Sequence, residues 1–427
     1  MSHSIAVVGT GYVGLTTGAC FSSLGHRVTC VDIDVAKVIS LLEGQIPIYE
    51  DGLADLVRDG LASGQLHFTT DLVEACAEAE FIFLCLPTPA GADGMADLSA
   101  IHEVVLQLQG RVRAGSVIVN KSTVPVNSAR MVAELVNDSS VSVVSNPEFL
   151  REGSAVRDFL NPDRIVVGSD DPVAGERVAS LYLGTRSPIV VTDPVSAESI
   201  KYFANAFLAT KISFVNEAAR FCDAAGANVL EVMRGLSFDP RIGGPFLNPG
   251  PGWGGSCFPK DTQALLTLAD RIESPLPIVE QAVSSNNQQI ERLVRLIADT
   301  TLEVGARKLC VLGLTFKAGT DDVRDSPAMQ IIKKLEGAAP ELACYDPLAR
   351  TDMPTYAKRV DSMNEALDGA DVVAILTEWP EFAAIQPDLL AELMRGRVVI
   401  DGRYLLDPAR FIPYGIKVRS IGRPIPY

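Results

Sequence analysis

The chain opens on an apolar run, Ile5-Ala-Val-Val8, that breaks into Gly9-Thr-Gly-Tyr-Val-Gly14. Such a run, closed by glycine, reads as a buried strand, and the small residues after Gly14 read as a helix. A second strand is expected from Arg27 to Ile33, with Asp32 at its end, 18 residues beyond Gly14. Further strands are expected over Phe81 to Leu86, Ser116 to Asn120, Val141 to Ser145 and Arg164 to Gly168, with helical stretches between them. This alternation predicts a doubly wound parallel sheet over roughly residues 1–195.

Residues 197–224 contain no Gly or Pro, and Ile200, Phe203, Phe207, Ile212 and Val215 recur at helical spacing. One long helix of about seven turns is expected, suited to a connector or a dimer interface. Residues 240–261 are rich in Gly and Pro and read as a loop. A helical stretch follows to about residue 304, and then the α/β rhythm returns. Strands are expected at Lys308 to Leu314, Leu342 to Tyr345, Val372 to Leu376 and Val398 to Asp401. The fold class is therefore α/β: two Rossmann-like doubly wound parallel-sheet domains joined by a long central helix. The expected division is 1–196, 197–304 and 305–427.

At 427 residues the chain exceeds what one core usually serves, in keeping with several domains. Its net charge of -16 argues against a nucleic-acid binder, which carries a basic face. An anionic ligand would have to be held locally, by helix N-termini, glycine amides and a few placed cations. No apolar run reaches about 18 residues, and no basic, then apolar leader opens the chain. Eight cysteines show neither a CxxC pair nor zinc spacing, so no metal is expected, and free thiols in a reducing cytoplasm are the simplest reading.

Two stretches carry chemistry. Strand, Gly9-x-Gly11-x-x-Gly14, helix, strand and Asp32 form the dinucleotide fingerprint in its required context. In Gly252-Trp-Gly-Gly-Ser-Cys-Phe-Pro-Lys-Asp261, a cysteine lies behind glycines and ahead of a cation that would favour the thiolate. A buried, inert Cys is the competing reading. All four histidines, His3, His26, His67 and His102, lie in the first quarter of the chain. Partners of Cys257 are thus more naturally Lys, Asp, Glu or Thr. Lys201 and Asn205 are i, i+4 and share a helix face, which by itself fits a site or a solvated surface equally. Lys317 and Arg324 follow the first strand of the second sheet and could grip phosphates.

GTGYVGL at 9–15, KSTVPV at 121–126, NPEFLREG at 146–153, the Lys201/Asn205 pair, GGSCFPKD at 254–261 and GLTFK…TDDVR at 313–324 occur in this order. Together they resemble the UDP-glucose/GDP-mannose dehydrogenase family across nearly the whole chain, and Phe258 favours its UDP-glucose branch. The resemblance implies a four-electron oxidation of a nucleotide-sugar primary alcohol to a carboxylate with two NAD⁺. Cys257 would carry a thiohemiacetal and then a thioester. It gives Lys201 and Asn205 the oxyanion, Asp261 with Thr123 a water, and Glu148 the acid/base role, with Asp261 as rival. Gly9, Gly11, Tyr12, Val13, Gly14, Asp32, Lys37, Thr88, Thr123, Glu152, Lys260 and Arg324 are the implied NAD contacts. UDP-glucose would meet Phe149, Leu150, Arg151, Glu152, Lys201, Asn205, Phe246, Leu247, Asn248, Pro249, Gly250, Gly254, Lys317 and Arg403. Arg241 would reach the substrate of a second subunit, which implies a homodimer. Asn248 and Trp253 depart from the family pattern beside the substrate loop. The alternatives are another nucleotide sugar such as GDP-mannose, an enzyme that stops after two electrons, and a non-catalytic NAD-binding scaffold.

Overall fold

Strands β1 (Ser4–Val8), β2 (Arg27–Val31), β3 (Leu66–Thr69), β4 (Phe81–Leu84), β5 (Val117–Asn120), β6 (Ser142–Ser145), β7 (Ile165–Ser169) and β8 (Ile189–Thr192) form one sheet in the order β3-β2-β1-β4-β5-β6-β7-β8. This computed structural model describes residues 2–91 and 94–423. The chain forms two units, Met1–Ala204 with Gln263–Glu273, and Asn205–Thr262 with Ser274–Tyr427.

In the first unit, β1, β4 and β5 are apolar at almost every position because both faces of the sheet are covered. Phe81 and Phe83 pack into one core cluster, while Ile82 and Leu84 pack into the other. The strand order reverses between β1 and β4, so the loops after them flank the switch-point crevice where open α/β sheets bind ligands.

Strands β1 to β6 run parallel as expected, but β7 pairs antiparallel with β6, Val144 opposite Ser169, and β8 follows the direction of β7. The connection between them holds only a six-residue helix, Ala155–Leu160. A parallel return has to carry the chain back along the length of a strand, usually by a helix, and six helical residues rise only about 9 Å. The chain instead turns back at the carboxyl end of the sheet, which keeps Glu148 to Gly153 on the ligand side.

The second unit holds β9 (Lys308–Leu312), β10 (Glu341–Tyr345), β11 (Ala357–Arg359), β12 (Val372–Ile375), β13 (Val398–Asp401) and β14 (Lys417–Arg419). They form an all-parallel sheet in the order β11-β10-β9-β12-β13-β14. Two core clusters cover its faces, one of them including Val215, Ala219 and Cys222.

The long helix spans Pro194–Ala225, 32 residues, and stops where Gly226 turns to φ +74°. It exceeds the expected seven turns because Pro194 is tolerated in its first turn. Tyr202, Ala206, Ala209, Val215 and Ala219 are buried, whereas Phe203, Phe207, Phe214 and Phe221 are 51–72% exposed. The helical stretch expected up to about residue 304 is two helices, Phe258–Arg271 and Pro277–Glu303. Pro275 and Pro277 separate them, and Glu273 adopts φ +55°.

Candidate active site

The first unit carries the dinucleotide turn. A Cβ on Gly14 would lie 1.8 Å from the Gly9 carbonyl oxygen, so only glycine lets the turn close against the helix Tyr12–Ser23. A Cβ on Gly11 would meet nothing within 4 Å, leaving that side open to a pyrophosphate at the helix N-terminus. Asp32 Oδ2 accepts from the Thr10 amide (2.9 Å), the Thr10 hydroxyl (2.6 Å) and Lys37 Nζ (2.9 Å). Oδ1 accepts from the Asp34 amide at 3.0 Å and has a further lone pair for a ribose hydroxyl. Burial opposes ionisation, but these hydrogen bonds outweigh it and hold the carboxyl down to about 2. The residues fit NAD. Thr88 donates its hydroxyl to the Thr123 carbonyl (2.9 Å), tying together the loops after β4 and β5.

The same unit places Glu148 and Lys201 in a buried ion pair, Nζ to Oε1 2.9 Å, with side chains 7% and 5% exposed. Glu148 Oε2 accepts from the Leu150 amide at 2.6 Å. Burial alone would raise the Glu148 pKa, but the Lys201 ammonium, these hydrogen bonds and the charge of Lys121 hold it below the usual carboxylate value. Lys201 Nζ stands 5.4 Å from the Phe149 ring centre, and the Arg164 guanidinium stacks on that ring at 3.6 Å. Arg151 turns onto Asp158 in a two-pronged pair (2.9 and 2.6 Å). A cavity of about 290 Å³ is lined by Lys121, Asn146, Glu148, Phe149, Arg164 and Tyr182, among others. The spacing argument missed Lys121. It is buried, donates to Asn146 Oδ1 (3.1 Å) and to the Tyr182 hydroxyl (3.2 Å), and stands over the Phe159 and Tyr182 rings.

The second unit carries the thiol. Among the described residues Cys257 is the only cysteine that is not buried. Burial pushes Cys20, Cys76, Cys85 and Cys344 up to about 12, which keeps them inert. Cys257 directly precedes the helix Phe258–Arg271, and its carbonyl accepts from the Asp261 amide at 2.8 Å. Its sulfur thus stands at a helix N-terminus, where the dipole favours a thiolate. Asp261 is 1% exposed; Oδ2 accepts from Asn205 Nδ2 at 2.6 Å, and Lys260 Nζ lies 2.8 Å from Oδ1 as an ion pair.

Side-chain amides clamp the loop ahead of Cys257. Asn216 accepts from the Gly250 amide (2.8 Å), Gln289 donates to the Gly250 carbonyl (2.8 Å), and Asn286 grips both backbone groups of Trp253 (2.8 and 3.0 Å). A Cβ on Gly254 would lie 2.0 Å from the Asp325 carbonyl, so this glycine is required by the protein's own backbone. Arg403 borders Gly250, donates to the carbonyls of Leu376 (3.0 Å) and Phe316 (3.1 Å), and pairs with Glu378 at 3.0 Å. Lys317 Nζ lies 5.4 Å from the Phe316 ring centre, and the Gly255 amide donates to the Arg324 carbonyl at 3.1 Å. The second unit therefore gathers Gly250, Gly254, Cys257, Arg324 and Arg403 with the segment 316–317. Leu247, Pro249 and Gly250 are buried, while Asn248 is exposed. Arg241 is 88% exposed and pairs with Asp239 in its own turn.

Comparison with known proteins covers the chain from end to end. The NAD-binding domain of the UDP-glucose/GDP-mannose dehydrogenase family matches residues 3–185, its central domain 195–288 and its UDP-binding domain 310–408. UDP-glucose 6-dehydrogenase of Rhizobium meliloti (strain 1021) is 42% identical, over 98% of this chain and 99% of that protein. UDP-glucose 6-dehydrogenase TuaD of Bacillus subtilis (strain 168) is 41% identical, over 98% and 93%. The solved structure of a UDP-glucose dehydrogenase from Pyrobaculum islandicum superposes with a TM-score of 0.90 at 34% identity, covering 99% of this chain and 98% of that one.

Proposed function

The chain belongs to the UDP-glucose/GDP-mannose dehydrogenase family, and we propose that its own reaction takes C6 of UDP-glucose from alcohol to carboxylate. It is an NAD-dependent oxidoreductase of nucleotide sugars. The reading divides it into a cofactor part (1–196), a central part (197–304) and a nucleotide-sugar part (305–427).

The observation that carries the mechanism is Cys257, unburied at a helix N-terminus while the other described cysteines are buried. Gly9, Gly11, Gly14 and Asp32 would hold NAD⁺, two molecules of which in succession would supply the hydride acceptor for the two oxidations. The rest falls to side chains. Glu148, kept ionised by Lys201, takes the proton of the C6 hydroxyl. The Cys257 sulfur adds to the resulting aldehyde, because an aldehyde gains a transferable hydride on a tetrahedral carbon only after something adds to it. Oxidation of that thiohemiacetal leaves a thioester, and water cleaves it to carboxylate and free thiol. Lys201 and the second N–H of Asn205 stabilise the oxyanion. Asp261, fixed by Asn205 and Lys260, positions the water or competes with Glu148 as base. Thr123 and the remaining cofactor and sugar contacts keep the parts the resemblance gives them.

The exposed Phe203, Phe207, Phe214 and Phe221, spaced by 4, 7 and 7 residues on one helix face, support a homodimer. Arg241 would then reach the partner's substrate. No helix among the described residues is long and apolar enough to cross a membrane, and a cytoplasmic location is part of the proposal. The deciding experiment is NADH yield across a panel of nucleotide sugars. Two NADH per UDP-glucose are expected; turnover of GDP-mannose with none of UDP-glucose overturns the reading.

A further inference from the structure

In the first unit, the cofactor turn and the 149–155 segment share one buried carboxylate. Glu50 is 5% exposed and belongs to neither. Its Oε2 accepts from the Gly153 amide at 2.8 Å and its Oε1 from the Ala155 amide at 2.7 Å. The Tyr12 hydroxyl donates to Oε2. That hydroxyl also accepts from the Gly153 amide at 3.1 Å and lies 3.2 Å from the Arg151 carbonyl oxygen. Tyr12 is the first residue of the helix whose N-terminus faces the pyrophosphate position, and Gly153 sits at φ +81°.

We propose that Glu50 is a positioning residue that couples the NAD turn to the sugar loop, so that cofactor and nucleotide sugar each tighten the other's binding. The inference rests on the proposed assignment of residues 149–152 to the sugar nucleotide. NAD docking on the helix N-terminus fixes the Tyr12 backbone, and the hydroxyl's hydrogen bond carries that restraint to Glu50. Glu50 then holds Gly153 and Ala155, which leaves Phe149 to Glu152 one arrangement instead of several. A second ligand meeting an ordered loop binds tighter, and the effect is reciprocal. Burial, then the Glu50 hydrogen bond and charge, push the Tyr12 pKa up, so its hydroxyl stays protonated as the donor. A purely structural Glu50 would lower stability or both affinities without changing the coupling between them.

NADH and UDP-glucose do not react, so their ternary complex can be titrated. NADH fluorescence titrations of the full chain, with and without saturating UDP-glucose, should differ about fivefold or more in Kd for the wild type. The ratio should fall to within about twofold of unity in Glu50→Gln, and also in Tyr12→Phe, which keeps the carboxylate and serves if the first variant is unstable. Hydrogen exchange supplies a readout that needs no sugar: NADH should slow exchange at the Gly153 and Ala155 amides of the wild type but not of the variants. A wild-type ratio near unity when UDP-glucose does bind, or a ratio and protection that survive both substitutions, overturns the coupling. If NADH protects these amides while UDP-glucose fails to bind the wild type, the sugar assignment falls and the joint stands.

Discussion

Lys201 Nζ lies 2.9 Å from Glu148 Oε1, and water reaches almost none of either side chain. Neither charge is stable there alone. Lys201→Met leaves a buried carboxylate whose remaining cations are Lys121 and Arg164, and should cost about 3–5 kcal/mol in urea unfolding. The Glu148 pKa is depressed in the folded chain, so its stabilising share is present above the unfolded carboxylate value and is lost as pH falls through the folded one. The variant lacks that share, so its stability deficit against the wild type should shrink as pH falls and the wild type loses its own. The acid limb of kcat/KM should move to higher pH, and kcat should fall about 10²–10³-fold if Lys201 also serves the oxyanion. An unmoved acid limb would show that Glu148 is not the titrating base.

Cys257→Ser removes the only thiol that is not buried among the described residues. Carboxylate formation should drop by roughly 10³-fold or more, because a nucleophile and its neighbours act as one unit. Intact-mass spectrometry should find no thioester on the variant during turnover. Undiminished carboxylate production would remove Cys257 from the mechanism.

Asp32→Ala leaves Lys37 without its 2.9 Å partner, exchanging a carboxylate for an uncompensated ammonium at the ribose end of the turn. A 2′-phosphate, formerly repelled, then meets a cation. The ratio of kcat/KM for NAD⁺ over NADP⁺ should fall at least about tenfold, equivalent to roughly 1.4 kcal/mol. A preserved ratio would place discrimination elsewhere.

The strands missing from the sequence reading are instructive. β3 and β8 bound the first sheet, β11 and β14 the second; all four are edges. Interior parallel strands are apolar runs because both faces are covered, whereas edges are short and carry polar or charged residues, as Lys358, Arg359, Lys417 and Arg419 do here. Their pairing is set by the strand they border and leaves little local trace. The site divides along the same line. Gly9 to Gly14, Asp32 and the Cys257 loop announce themselves because their chemistry requires fixed spacing. Glu50, Lys121 and Tyr182 do not: their partners lie 25 to 105 residues away in sequence, and each, read alone, is an ordinary polar residue. The glycines before Cys257 were visible, but Gly254 answers to the Asp325 carbonyl as well as to any ligand.

The phenylalanine face of the long helix predicts assembly. Phe207 and Phe214 are 65% and 56% exposed, an arrangement a monomer would leave in water. Phe207→Asp combined with Phe214→Asp should shift the light-scattering mass from twice 45.6 kDa to 45.6 kDa. The core residues on the opposite face, including Val215 and Ala219, are untouched, so circular dichroism should be preserved. A wild type that is already monomeric would remove the homodimer.

Lys121 gives a stability prediction with a defined pH window. Burial, opposed by the charges of Cys85 and Glu148 and aided by that of Lys201, lowers its pKa from 10.5 to about 8. The unfolded chain therefore holds this proton more tightly than the folded one. Below pH 8 the lysine is charged in both states and the cost of burying that charge is fully present. As pH rises from 8 toward 10.5 the folded chain sheds the proton first, and the cost fades. Lys121→Met removes the charge at every pH while Tyr182 and Asn146 keep their own 2.5 Å hydrogen bond. The stability of the variant relative to the wild type should thus decline as pH climbs, by on the order of 3 kcal/mol over the whole window. Urea unfolding of both proteins at pH 7.0 and at about 9.5 captures the first part of that decline. A difference that stays constant between the two would mean that Lys121 titrates like a solvated amine, and the buried network under Glu148 would have to be redrawn.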